Sequence, residues 1–298
     1  MIRVEPHGDV TRLVLSSAAS RLAGYDVSAY LVATPAGRVL VDTGSPAAWR
    51  NLARHLRALG GGDLGRALCG AVVTHAHEDH AGNVAALATA GVPFAMSKAT
   101  RLALRGAAPP ALYRRFTWGR MRPYPFDWAT FHGAAFRPAP LVLIRTPGHS
   151  PDHRAVWDPR TRTLFGGDLF LGVRVRVAHP GENLHALVHS LRAAAALRPK
   201  RLFDAHRGLI PNPVAALEAK AAWIEDTVAA VERLLDRGWP AWRVRRAVLG
   251  REELAGYLSL GEYSRSNFVR TVRDRRLHRG QSYSFYDLTQ PGTAPAAR

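Results

Sequence analysis

Cysteine is almost absent from this chain: Cys69 is the single one in 298 residues. It cannot form an internal disulfide, so nothing in the composition calls for an oxidising compartment. Lysine is scarce as well. Lys98, Lys200 and Lys220 are the only three, and arginine supplies the rest of the 41 basic residues. Long apolar runs are missing: none approaches the roughly 20 residues that span a bilayer, so no membrane insertion is expected. The opening MIRVEPHGDV has no apolar core and does not read as a signal peptide. A cytoplasmic protein is the expectation.

The chain is 47% hydrophobic and 21% charged, enough to build a sizeable core and too apolar for general disorder. The net charge of +18 invites a nucleic-acid reading. The arginines are spread from end to end rather than gathered in one stripe. A field of that kind draws acidic substrates without being a nucleic-acid site.

Strand and helix patterns interleave through about residue 210, which argues for α/β layers. VSAYLVAT (27–34) and GRVLVDTG (37–44) read as paired strands around a Pro-Ala-Gly turn. Further strands are expected at 67–75, 141–149, 154–158, 163–168 and 201–206, and helices at 46–60, 81–91 and 183–197. Between 99 and 140 the pattern breaks into aromatics and arginines, among them Tyr113, Arg114, Phe116 and Trp118. That insertion is expected to form one wall of a pocket or to pack on the core. After 210 the pattern is helical to about 289. Asn212 and Pro213 are placed to start a long helix, Gly238 to end it, and Ser264 or Ser266 to cap the last one. Residues 290–298 read as a frayed tail.

One cluster carries the chemistry: Thr74-His75-Ala76-His77-Glu78-Asp79-His80. Imidazole and carboxylate are good ligands for zinc and its neighbours, and this many in one turn after a strand is the composition of a metal site. Three later segments have the same layout, an apolar strand delivering a ligand at its C-terminal end: His149, Asp168 and His206. The crevice beyond strand ends is where open α/β folds place their sites.

THAHEDH resembles the HxHxDH signature of the metallo-β-lactamase superfamily, and TPGHS, GGD and DAH resemble its remaining metal motifs, in order. VDTG (41–44) is similar to its early motif. The resemblance covers about residues 20 to 210 and implies an αββα sandwich, two mixed sheets flanked by helices, with a helical C-terminal extension. It implies a metal set like that of glyoxalase II: His75, His77 and His149 on one ion, Asp79, His80 and His206 on the second, and Asp168 bridging. Asp42 is implied as an orienting residue that does not bind metal itself. Glu78 falls at the variable position of the motif. Asp152 and His153 are candidates to support the ligands or to face a substrate.

Two divalent ions are therefore expected, zinc first, with manganese or iron as alternatives. The reaction implied is hydrolysis, a bridging hydroxide attacking a small ester, thioester or lactone while Asp79 orients it and takes its proton. Two rivals remain: a ribonuclease contacting RNA phosphates through Arg270, Arg273, Arg275, Arg276 and Arg279, and a mononuclear iron persulfide dioxygenase. The helical C-terminal part is expected to cover the pocket or build a homodimer interface.

Overall fold

Alternation along the central strands explains the architecture. In the computed structural model, Tyr30, Val32, Val39, Val41, Phe165 and Phe203 point into one core, while their neighbours Leu31, Leu40, Leu164 and Leu202 point into two others. Strands buried on both faces require a layer on each side, and the chain supplies it. The structure describes residues 2–17, 20–21, 24–106, 112–121 and 140–277.

The first sheet runs in sequence order, β1 (Ile2–His7), β2 (Val10–Leu15), β3 (Val27–Thr34), β4 (Gly37–Val41), β5 (Gly70–Val72) and β6 (Phe94–Ala95). Its first four strands are antiparallel neighbours, and β4, β5 and β6 are parallel. The second sheet has the order β11-β10-β9-β8-β7, from β7 (Val142–Arg145), β8 (Arg154–Asp158), β9 (Thr163–Gly167), β10 (Arg201–Asp204) and β11 (Gly208–Ile210). Only β9 and β10 pair in parallel there. Between the sheets, Tyr30, Phe165 and Phe203 form a ring cluster with centroids 5.1–5.5 Å apart. The Tyr30 hydroxyl donates across the layer to the Asp204 carbonyl at 2.6 Å.

Helices α1 (Trp49–Leu59), α2 (Glu78–Ala81) and α3 (Val84–Thr89) cover the first sheet, followed by α4 (Lys98–Gly106) and α5 (Leu112–Trp118). Helices α6 (Leu184–Ala196), α7 (Pro213–Asp236), α8 (Ala241–Val248) and α10 (Arg265–Leu277) cover the second, with α9 (Leu254–Leu258) between the last two. The outer core of this second sheet is continuous from Ala155 to Val272. The expected αββα sandwich with C-terminal helices is thus the architecture observed. No helix among the described residues is long and apolar enough to cross a membrane.

Three local readings need correction. The hairpin β1–β2 went unread, because IRVEPH carries charges and Pro6 and only one side of it meets the core. Asn212 sits in the left-handed region at φ 46° and makes no side-chain cap; Pro213, with its preset φ, starts α7 alone. Cys69 lies just before β5, half-buried, its thiol against the Arg38 carbonyl. Of the two candidate caps for α10, Ser264 accepts from the Ser266 amide at 3.0 Å. Residues 107–111, 122–139 and 278–298, which include part of the aromatic insertion and the tail, lie outside the described residues.

Candidate metal centre

Strand ends build the site. The turn after β5 presents His75 and His77, and α2 presents Asp79 and His80. The β7–β8 connection carries His149, Asp168 follows β9, and His206 follows β10. Two ligand groups result, His75, His77, His149 and Asp168 in one and Asp79, His80 and His206 in the other, each with its donor atoms within 4.8 Å of one another. All seven residues implied as ligands are thus brought together.

In the first group Nδ1 of His77 lies 3.0 Å from Nε2 of His75 and 3.0 Å from Nε2 of His149. In the second, Oδ2 of Asp79 lies 3.5 Å from Nε2 of His206 and 3.8 Å from Nε2 of His80. Asp168 stands between them with its oxygens divided. Oδ2 is 3.2 Å from His149 Nε2, while Oδ1 is 3.2 Å from His80 Nε2 and 3.3 Å from His206 Nε2.

The protons are placed elsewhere. His80 Nδ1 bonds Asp42 at 2.8 Å, His149 Nδ1 bonds Glu182 at 3.0 Å, and His206 Nδ1 donates to the Asp26 carbonyl at 2.8 Å. His75 Nδ1 meets the Thr74 hydroxyl at 3.0 Å, and that hydroxyl donates to Asp42 at 2.9 Å. Each of these four rings therefore aims an Nε2 lone pair inward. His77 Nδ1 lying 3.0 Å from two other imidazole nitrogens, with His80 Nε2 and Asp168 Oδ1 buried and lacking a hydrogen-bond partner, calls for a cation. The nitrogen and oxygen donors fit zinc, manganese or iron.

The carboxylates also favour positive charge among these rings, in the form of protons on Nε2 that a bound cation would displace. Burial opposes a positive His80, yet Asp168, Asp79 and Asp42 outweigh it and hold the ring well above its ordinary pKa. His149 and His206 are raised to about 9, again against burial, chiefly by Asp168. Burial would raise Asp168, but His80, His206 and His149 pull its carboxyl well below the usual range. His75 and His77, by contrast, are driven well below theirs by burial and neighbouring imidazoles.

Asp42 is the hub beneath both groups. Its carboxylate also accepts from the Thr74 amide at 2.8 Å, so it orients His75 through Thr74 and His80 directly. Asp42→Asn is expected to weaken metal binding about 10- to 100-fold, read by competition with a chromogenic chelator. Wild-type affinity in that variant would contradict this role.

Asp152 and His153 both bond to the ligand loops. Asp152 accepts from the Ala76 amide at 2.9 Å and the Ser150 hydroxyl at 2.7 Å, tying the two ligand loops together. His153 is fully buried and cannot face a substrate. Its Nδ1 bonds Thr146 and its Nε2 accepts from the Asp168 amide at 3.1 Å. Burial, then the nearby His149, push its pKa down to about 3 and keep it neutral for that task.

Four residues at the site escaped the sequence reading of their roles. Glu182 holds His149, Lys220 props the loop after Asp168, and Arg114 on α5 ion-pairs with Glu78 and faces Glu262 at 3.8 Å. His179 adds a ring 6.1 Å from that of His149. Arg114 alone carried a signal, as part of the basic insertion.

A two-sheet sandwich with a histidine-aspartate centre on one edge defines a class of metal-dependent hydrolase fold. The family model described as the metallo-beta-lactamase superfamily matches residues 22–206, and the chain belongs to that superfamily. Among curated relatives, a "Beta-lactamase-like protein 2 homolog" of Caenorhabditis elegans is 28% identical over 67% of this chain and 65% of its own length. The "Thioesterase pkgB" of Emericella nidulans is 29% identical over 66% of this chain and 53% of its own. The "Atrochrysone carboxyl ACP thioesterase" of Aspergillus fumigatus is 29% identical over 61% and 51%. The chain thus spans 65% of the nematode relative and about half of the fungal ones. Among solved structures, a metallo-beta-lactamase family protein from Thermus thermophilus shares the fold at TM-score 0.58 and 22% identity, covering 91% of this chain and 94% of that one.

Proposed function

We propose that this protein is a dinuclear metal-dependent hydrolase of a small ester, thioester or lactone, with thioesters first. The observation that carries the reading is the division of Asp168, one oxygen toward each ligand group. The two fungal relatives named as thioesterases support the choice of substrate class.

When bound, two divalent ions, zinc foremost, lower the pKa of water toward neutrality and draw charge from a carbonyl oxygen. The chain's own part is positional. His75, His77 and His149 would hold one ion, and Asp79, His80 and His206 the other. Asp79 orients the attacking water and accepts its proton. Asp42, Glu182 and the Asp26 carbonyl keep the imidazoles in the one tautomer that leaves Nε2 free. No side-chain nucleophile is required.

The test is a panel of thioester, lactone, phosphodiester and RNA substrates on protein reconstituted with zinc, manganese or iron. Close to two metals per chain and turnover of thioesters or esters are expected. One tightly held iron with persulfide-dependent oxygen uptake would overturn the reading. So would cleavage of RNA alone. Arg270 and Arg273 on α10 are exposed, and Arg273 pairs with Asp274, while Phe268, Val269 and Val272 of the same helix are buried in the core.

A further inference from the structure

A row of rings leaves the ligand cluster on one side and returns to it on the other. His206 of the second group bonds the Asp26 carbonyl at 2.8 Å. The preceding residue, Tyr25, meets Tyr263 edge to face, with centroids 6.3 Å apart and planes at 89°. Tyr263 lies 5.2 Å from His179 at 50°. His179 in turn lies 6.1 Å from His149 and 6.2 Å from His77, ligands of the first group. Three separate segments supply the row: the turn before β3, the loop between β9 and α6, and the loop between α9 and α10.

The row is not interior packing. Tyr25 is 40% exposed, and His179 and Tyr263 are half-buried, whereas the rings between the sheets are almost fully enclosed. The His179 Nδ1 is buried without a hydrogen-bond partner, a polar edge the fold itself leaves unused. Arg114, the guanidinium that bears on His77, is committed to Glu78 and faces Glu262, so it is not held ready for a substrate anion.

We infer that Tyr25, Tyr263 and His179 form an aromatic wall that receives a planar aryl group on the acyl side of the substrate. This rests on the ester and thioester reading above. The row borders both ligand groups, since Tyr25 adjoins Asp26, whose carbonyl bonds His206, and the His179 ring lies 6.1 Å from that of His149 and 6.2 Å from that of His77. An alkyl acyl group gains only burial there. An aryl group gains in addition from edge and face contacts with rings inclined at 50° and 89° to one another.

The experiment compares benzoyl and butyryl thioesters of one small thiol, alongside binding of benzoate and butyrate to the metal-loaded protein by calorimetry. Wild type is expected to prefer benzoyl in kcat/KM by about fivefold or more, the scale of a good aromatic contact. Tyr263→Leu should bring that ratio close to one, mainly through KM, while Tyr263→Phe keeps it. Tyr25→Leu, at an exposed position, gives a second reading should Tyr263→Leu fail to fold. Equal use of both substrates by wild type, or a preference retained in both leucine variants, would overturn the wall. Loss of RNA cleavage in those variants without an aryl preference would assign it to a nucleobase instead and overturn it equally. If no thioester or ester is turned over, the hydrolase reading fails by itself. Benzoate binding more tightly than butyrate in wild type, and not in the leucine variants, would still uphold the wall.

Discussion

Asp168→Asn is expected to lower kcat/KM by roughly a thousandfold or more, which corresponds to about 4 kcal/mol of lost transition-state stabilisation. The amide keeps the shape but surrenders the negative charge and half of the acceptor capacity. Both oxygens are in use, Oδ2 toward His149 and Oδ1 toward His80 and His206, so the change strikes both groups at once. Metal analysis of the variant should fall from near two ions per chain to one or fewer. The backbone amide of residue 168 still bonds His153, so circular dichroism should show an intact fold. Wild-type turnover in Asp168→Asn would remove the dinuclear reading.

Lys220→Ala is expected to cost the fold about 3 kcal/mol, seen as a fall in Tm of roughly 5–10 °C. Lys220 lies on α7 with only 2% of its surface exposed. Its ammonium donates to the Leu169 carbonyl at 3.1 Å and to the Phe170 carbonyl. Burial, against the pull of Asp204 and other carboxylates, drags its pKa down to about 8, so part of the gain is already offset. Truncation nonetheless strands two buried carbonyls and opens a void the length of the side chain. Lys220→Met fills the void but not the bonds, and should fall between the two. A Tm equal to wild type in Lys220→Ala would show that the clamp contributes nothing.

Those two carbonyls belong to the residues just after Asp168, and this defines what the sequence could tell. THAHEDH was legible because its ligands are neighbours in the chain, and His149, Asp168 and His206 because each ends a readable strand. Asp42 was legible from a short motif and sits where that motif implied, bonded to His80. Glu182 and Lys220 had no such mark, and nothing in the sequence paired Arg114 with Glu78. Each does its work by tertiary approach: Lys220 reaches carbonyls about 50 positions away in the chain, and Arg114 reaches a carboxylate 36 positions away. Strand ends were over-extended for a related reason. The run 67–75 looks continuous because most of its residues are apolar, yet the strand proper is Gly70–Val72, flanked by single backbone bonds at Cys69 and Val73, and the chain then turns to present His75. For His153 the sequence left two roles open, supporting the ligands or facing a substrate; the fold places both its nitrogens on Thr146 and on the Asp168 amide.

The sandwich's middle layer also governs reactivity. His75, His77, Asp79 and His80 ride on the first sheet, and His149, Asp168 and His206 on the second, so the cage is a seam between two slabs. Its width is set by the thickness of what lies between them: Tyr30, Phe165, Phe203 and their valine neighbours. A change of volume in that filling is therefore expected to reach the site as a change of spacing between the two halves of the ligand set.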